Sequence, residues 1–434
     1  LALLEEVDKC LRYRRKGPAA MEEQEKISLQ LTEIEIVFGL YHCLSDLREL
    51  NEIRPRIVNL HEWSYIFYVM PKQTPLKERH QANRAVFGEE DGWIMPLHFG
   101  DPLREYQAVR SHVGLLDLCH RTLLRFAGPD RVSYLQGMVS NDVKKLAPGE
   151  GIHAAVLDIQ GRILADTRIF CLRDFFLLDL WEPLKEKILT HLNRYLIADD
   201  VEITDLTGRY GMLSVQGPMA LLLLKELFPD GAVPERELGH AVSLLGDDEI
   251  RIARSTHTGE EGFDLLVPIT NLLPTVSLIE AMRDKFSLSW VGTQAQELLR
   301  VEAGIPRYGF DMNEENLLLE TGLDNSVSFQ KGCYLGQEVV ERIRSRGHIN
   351  RKLVGLILEG DQAAQRGSVI RANEKEIGQV TSSILSPARN LPIALGYVQR
   401  DYLQPGTPVA ILSNGKIIPA LVSALPFHPQ ANRG

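Results

Sequence analysis

The sequence predicts an α+β fold: two α+β regions followed by a small β-barrel. Three observations carry this. From Thr74 onward, stretches of helical period alternate with short β-rich stretches, the texture of helices covering one face of a mostly antiparallel sheet. After about residue 350 the helical period disappears, and six short strands occupy roughly 75 residues, the density of a small closed barrel. Between two of those strands lies Asn414-Gly415, a hairpin turn signal.

In chain order, residues 1–69 read as two helical stretches, 3–15 and 21–50, broken by Gly17-Pro18. Their texture differs from that of the rest of the chain. One reading places them outside the working protein, with Met70 as a natural start. The other makes them a helical extension packed on the body. Residues 70–349 hold the two α+β regions. Helices are expected over 103–111, 129–138, 184–196, 218–227, 270–286 and 293–303. Strands are expected over 123–127, 154–157, 163–171, 175–180, 210–216, 251–255 and 263–267. Residues 350–434 form the barrel, with strands over 352–358, 367–370, 376–384, 393–398, 408–412 and 416–424.

The chain carries 48 Lys and Arg against 58 Asp and Glu, a net charge of -10. Such a field does not attract a phosphate backbone, so direct nucleic-acid binding is not expected. No apolar run approaches the roughly 20 residues that span a bilayer. The five cysteines, Cys10, Cys43, Cys119, Cys171 and Cys333, are odd in number and widely spaced, with no C-x-x-C. That argues for a reducing, cytoplasmic setting and against a disulfide framework or a local metal cluster. His257 and His348 also lack metal-ligand spacing.

The most distinctive run is K-G-C-Y-L-G-Q-E at 331–338. Gly332 and Gly336 permit a tight backbone on both sides of Cys333. Lys331 precedes it by two residues, and a cationic stretch lies beyond it: Arg342, Arg344, Arg346, Arg351 and Lys352. Nearby positive charge favours the thiolate, the form that attacks or binds metal. The competing reading is a buried structural cysteine in a glycine turn.

This octapeptide resembles the signature of YgfZ-type folate-binding proteins, relatives of the glycine-cleavage aminomethyltransferase (T-protein). Further segments are similar to that superfamily: T-P-L at 74–76, G-W-I-M-P-L-H-F-G at 92–100, A-V-R at 108–110, G-L-L-D-L at 114–118 and S-N-D-V at 140–143. So are V-Q-G-P at 215–218, H-T-G-E-E-G-F-D at 257–264, L-L-R-V-E-A-G-I-P-R-Y-G at 298–309, T-S-S-I-L-S-P at 381–387 and A-L-G-Y-V at 394–398. The likeness covers about 74–427.

The resemblance implies a ring of three domains around a channel that takes tetrahydrofolate or a one-carbon derivative, with two interleaved α+β subdomains before the barrel. It implies support of iron–sulfur cluster assembly or repair, with assembly proteins or client enzymes as partners. Effects on tRNA modification would arise through cluster enzymes. The alternative is a folate-dependent aminomethyltransferase.

Position by position, the resemblance makes Cys333 and Lys331 the catalytic candidates, with Cys333 at the channel mouth. The family's catalytic aspartate matches Ala165. Asp166 stays beside it on a strand, where neighbours face opposite ways. Without the acid, ordinary transfer is not expected; a shift of one residue would restore it. Asp264 matches the carboxylate that holds the pterin, Gln296 matches an arginine, and Asn141 falls in the loop near the channel. Trp93 and Tyr308 are candidates to stack on the pterin or to fill the core. Arg300 and Glu302 read as an interhelix pair.

Overall fold

The structure, a computed structural model, describes residues 56–60, 63–67, 71–246, 248–347 and 349–427. The helices expected over 3–15 and 21–50 lie outside the described residues. Within 1–69, the described part is an antiparallel hairpin, Arg56–Leu60 with Trp63–Phe67, which belongs to a compact unit of its own. The helical pattern of this region gave no sign of it.

Among the described residues the body holds two large sheets, a smaller sheet built on the hairpin Val86–Glu90/Trp93–His98, and a barrel. The first sheet is antiparallel, in the order Glu202–Asp205, Arg121–Ala127, Phe176–Trp181, Ile163–Cys171, Gly151–Leu157. Its covered face meets helices Arg131–Met138 and Lys185–Tyr195 through Tyr134, Leu135, Met138, Ile188 and Leu192. Period-2 alternation decides what each side of a strand sees. In Ile163–Cys171, Ile163, Ala165 and Thr167 are buried, whereas Leu164, Asp166 and Arg168 are half-buried.

The second sheet runs His240–Leu245, Asp248–Arg254, Gly262–Pro268, Tyr210–Gln216, Val113–Asp117, Leu288–Val291, with only the last pair parallel. Helices Ala220–Leu227 and Leu272–Ala281 cover it through Leu223, Leu224, Leu272, Val276 and Ile279. A third cluster, including Phe170, Leu177, Met212 and Leu266, joins the two sheets. Helix Pro102–Ser111 packs there as well; Pro102 occupies its first turn and the Asp101 carboxylate accepts the Leu103 N–H at 2.9 Å.

All six expected barrel strands are present and close in the order Arg351–Leu358, Leu391–Gln399, Lys375–Ser386, Val369–Ala372, Pro408–Ser413, Lys416–Ser423. Asn414 (φ 50°) and Gly415 (φ 73°) make the left-handed pair that their hairpin requires.

Arg300 and Glu302, expected as an interhelix pair, bind different partners, and Glu302 pairs with Arg110 of helix Pro102–Ser111. Arg300 bonds to Asp311 at 2.6 Å and to Glu297, while Glu302 receives Arg110, the Tyr106 hydroxyl at 2.7 Å, and Ser386 of the barrel. Among the described residues no helix is long and apolar enough to cross a membrane.

Candidate functional site

A cavity of about 170 Å³ opens where the first sheet meets the hairpin Val86–Glu90/Trp93–His98, helix Thr293–Glu302 and the segment 305–308. Among the described residues the barrel supplies none of its lining side chains.

Its floor comes from alternation on two strands of that sheet. Arg121 opens the Arg121–Ala127 strand; Asp166 and Arg168 share one face of Ile163–Cys171. Arg121 donates to both oxygens of Asp179, at 2.8 and 3.0 Å, a bidentate pair that fixes its guanidinium. Arg168 donates to Asp264 at 3.0 Å and lies 3.7 Å from Asp179. Burial alone would raise the Asp166 carboxyl. His153, at 3.8 Å, together with Arg121 and Arg168 more than offsets it, so Asp166 sits below the usual range and is anionic at neutral pH.

Two histidines complete the floor. Burial and the charge of Arg121 drive His120 down to about 3, so its ring is neutral, and its buried Nδ1 has no partner among the described residues. Burial also lowers His257, against the pull of Asp264, 3.0 Å from its Nε2. The walls are mixed: Met95, Leu118, Trp181 and Tyr308 are apolar or aromatic, and Gln296 contributes an amide.

Several expectations change here. The structure turns Ala165 into the hydrophobic core, with no exposure, and turns Asp166 to the cavity. Ala165 thus faces the core, and the carboxylate that this strand presents to the cavity is that of Asp166. Asp264 lies beneath the floor instead of lining it, and both its oxygens are engaged: Oδ1 accepts the Ser214 hydroxyl at 2.6 Å, Oδ2 accepts Arg168, and His257 touches both. It cannot offer a free carboxylate to a pterin while those bonds stand. Gln296 lines the cavity, its amide donating to the Val291 carbonyl at 3.2 Å. Asn141 does not line it; its amide donates to the carbonyls of His153 and Asn325 and holds a loop.

No residue of 331–338 lines the cavity, so the structure does not bring Cys333 to its mouth. Lys331 is buried and donates to the carbonyls of Gln136, Val139 and Asn141 at 2.6–2.8 Å, capping the end of helix Arg131–Met138. Burial lowers it to about 7. Its ammonium is directed at carbonyls, so it does not serve Cys333. Three residues of the basic flank are engaged elsewhere: Arg344 pairs with Glu341, Arg351 with Glu320 and Lys352 with Asp324. Of the two glycines, only Gly336 is constrained. At φ 82° a Cβ there would meet the Asp158 carbonyl at 2.5 Å, whereas Gly332 has open space. Gly336 also opens helix Gln337–Arg346. Trp93 is buried, and its indole donates to Glu182 at 3.2 Å; Tyr308 lines the cavity from the edge of the core.

Sequence reasoning missed Arg121, Arg168, His120 and Trp181 as site residues and passed over His257. Arg168 was findable, since it lies two positions after Asp166 and so shares its face. His348 lies outside the described residues, and no His, Cys, Asp and Glu cluster able to hold a metal occurs among those described.

The Asp264 cluster predicts an acid limb of stability. Burial raises that carboxyl, but His257 and Arg168 hold it at about 2, against 3.8 unperturbed. A lowered folded value means stability fully present above about pH 4 and lost as pH falls through about 2, worth about 2 kcal/mol. Urea unfolding at pH about 5 and about 2.5 should show that loss in the unaltered chain and a flatter dependence in Asp264→Asn.

With this geometry in place, similarity to known proteins becomes informative. Residues 76–331 match the GCVT N-terminal domain, and residues 351–428 match the glycine cleavage T-protein C-terminal barrel domain. The aminomethyltransferase of Nostoc sp. is 30% identical over 375 residues, covering 83% of this chain and 97% of that relative. That of Rubrobacter xylanophilus is 32% identical over 360 residues, covering 82% and 94%. The crystal structure of glycine cleavage system aminomethyltransferase T from Bartonella henselae superposes with a TM-score of 0.76 at 28% identity, covering 83% of this chain and 99% of that one. The strand order, the closed barrel and these matches agree, and the chain belongs to the glycine cleavage T-protein family.

Proposed function

We propose that the chain is a tetrahydrofolate-dependent transferase of the aminomethyl type, with Asp166 as the carboxylate at the reacting end of the cavity. The observation that carries this is the orientation of one strand: Asp166 faces the cavity beside Arg121 and Arg168, and Ala165 faces the core. The names of the similar proteins favour this reading over the iron–sulfur one.

The residues fit a flat heteroaromatic ring. The unpartnered Nδ1 of His120 and the Gln296 amide supply polar contacts, and Met95, Leu118, Trp181 and Tyr308 supply apolar or aromatic surface. The cavity is below the roughly 300–1,000 Å³ of whole-ligand pockets, so it suits the ring end of a folate, with the tail outside. When bound, tetrahydrofolate supplies the nitrogen that accepts a one-carbon unit. The Asp166 carboxylate would orient the substrate amine by hydrogen bonding and stabilise positive charge that develops on it. His153, with Arg121 and Arg168, keeps Asp166 ionised for that task. A single-turnover assay of methylene transfer to tetrahydrofolate tests the reading. Transfer by the unaltered chain is the expected result; tetrahydrofolate binding without transfer would overturn it.

One observation favours a second reading, a YgfZ-type role in iron–sulfur cluster assembly or repair. Cys333 is exposed, whereas Cys119 and Cys171 are buried. Burial, then the charge of Asp117, raises the Cys119 thiol, and burial raises that of Cys171. Iodoacetamide should therefore modify Cys333 at least about ten-fold faster than either, read by peptide mass spectrometry. In this reading Cys333→Ser keeps tetrahydrofolate binding yet fails to restore cluster-enzyme activity, and indirectly tRNA modification, in a null strain. Full rescue by Cys333→Ser would defeat the thiol role.

A further inference from the structure

A second cavity, of about 680 Å³, opens between the two sheets and carries Arg125, Arg209 and Arg251. It shares a strand with the central cavity. Arg121 lines one and Arg125 the other, four residues along the same strand and so about 13 Å apart.

The arginines of the two cavities differ in their partners. In the central one, Arg121, Arg168 and Arg300 each have a carboxylate within 3.0 Å. In the second, none of the three arginines makes an ion pair among the described residues. Arg251 is half-buried, and its guanidinium donates to the Nδ1 of His240 at 2.9 Å. His240 in turn donates from Nε2 to the Cys171 carbonyl at 2.9 Å. Burial and Arg251 hold that imidazole near 4, so it orients the guanidinium without neutralising it. Burying a cation without an anion is costly. Arg125 lies over the Phe175 ring at 4.8 Å, and Tyr210, 41% exposed, offers a second aromatic face. The carboxylates at this cavity, Glu202 and Glu249, are both exposed at its rim, which leaves three cations against two anions.

We propose that this second cavity binds a small aromatic ligand bearing a phosphate, of the mononucleotide kind. The three guanidiniums take the oxyanion, and Phe175 and Tyr210 take the ring. Planar guanidiniums match phosphate geometry, and aromatic faces accept a base. The site is separate from the folate cavity and does not depend on the transferase reading.

The test is calorimetric titration of the full chain with adenosine monophosphate, inorganic pyrophosphate and adenosine in parallel, then with triglutamate as a carboxylate source. Saturable binding of adenosine monophosphate is expected, tighter than that of any other probe. Arg251→Gln should weaken it about ten-fold or more and leave tetrahydrofolate binding unchanged. Arg209→Gln, at an exposed position, gives a second variant in case Arg251→Gln is poorly folded, and should also weaken binding. Tighter binding of triglutamate overturns the phosphate assignment. Absence of saturable binding at millimolar ligand, or equal affinity in both variants, overturns the site.

Discussion

Asp166→Asn should lower the rate of methylene transfer by about 100- to 10,000-fold, the range typical of a positioned acid or base. Tetrahydrofolate affinity should change by only a few-fold. Asparagine keeps the shape and removes the charge, and the fold does not rely on that charge. Arg121 retains its bidentate partner Asp179, Arg168 retains Asp264, and His153 is 3.8 Å away and loses little. A melting temperature close to that of the unaltered chain would separate loss of chemistry from loss of fold. Ala165→Asp is the informative contrast. Ala165 is fully buried in the core, so an aspartate there would place an unpaired carboxylate among apolar side chains. It should unfold the chain or depress its stability by several kcal/mol and should not raise activity. A wild-type rate in Asp166→Asn would remove Asp166 from the mechanism.

The same pair of residues shows what a sequence can and cannot tell. Alternation says that Ala165 and Asp166 face opposite ways. It does not say which face the helices cover; that depends on Tyr134, Leu135 and Ile188 arriving from two other elements. The barrel was legible because each strand is bounded by local turn chemistry, and Asn414-Gly415 needs no distant partner. Val113–Asp117 was missed because all five of its residues are buried, which erases the period-2 signal. Site chemistry was least legible where partners are remote in sequence. Lys331 looked like a neighbour of Cys333 but binds carbonyls 190 to 195 residues upstream. Asp264 looked free to hold a ligand, and Arg168, from a strand 96 residues away, occupies it.

Asp311→Ala should cost about 3–5 kcal/mol, the range for breaking a buried ion pair from one side. Asp311 has four bonds on two oxygens. Oδ2 accepts Arg300 at 2.6 Å and the Arg307 N–H at 3.0 Å; Oδ1 accepts Thr381 at 2.6 Å and Ser382 at 2.7 Å. Its carbonyl accepts the Tyr397 hydroxyl at 2.8 Å. One residue thus joins the helix that walls the cavity to two strands of the barrel. Removing its carboxylate leaves the buried Arg300 guanidinium with Glu297, itself partly exposed, as the remaining acid, so much of the penalty is an uncompensated charge. Arg300→Met in the same chain should therefore recover part of the loss, although Arg300→Met alone strands Asp311. Because Arg300 and Arg307 both line the cavity, tetrahydrofolate affinity should fall together with stability in Asp311→Ala. Urea unfolding of the two single variants and the double variant, with parallel tetrahydrofolate titration, measures both effects. A loss below about 1 kcal/mol, the worth of an exposed pair, would mean that the barrel is held by apolar packing around Val301, Leu353, Ile384 and Tyr397.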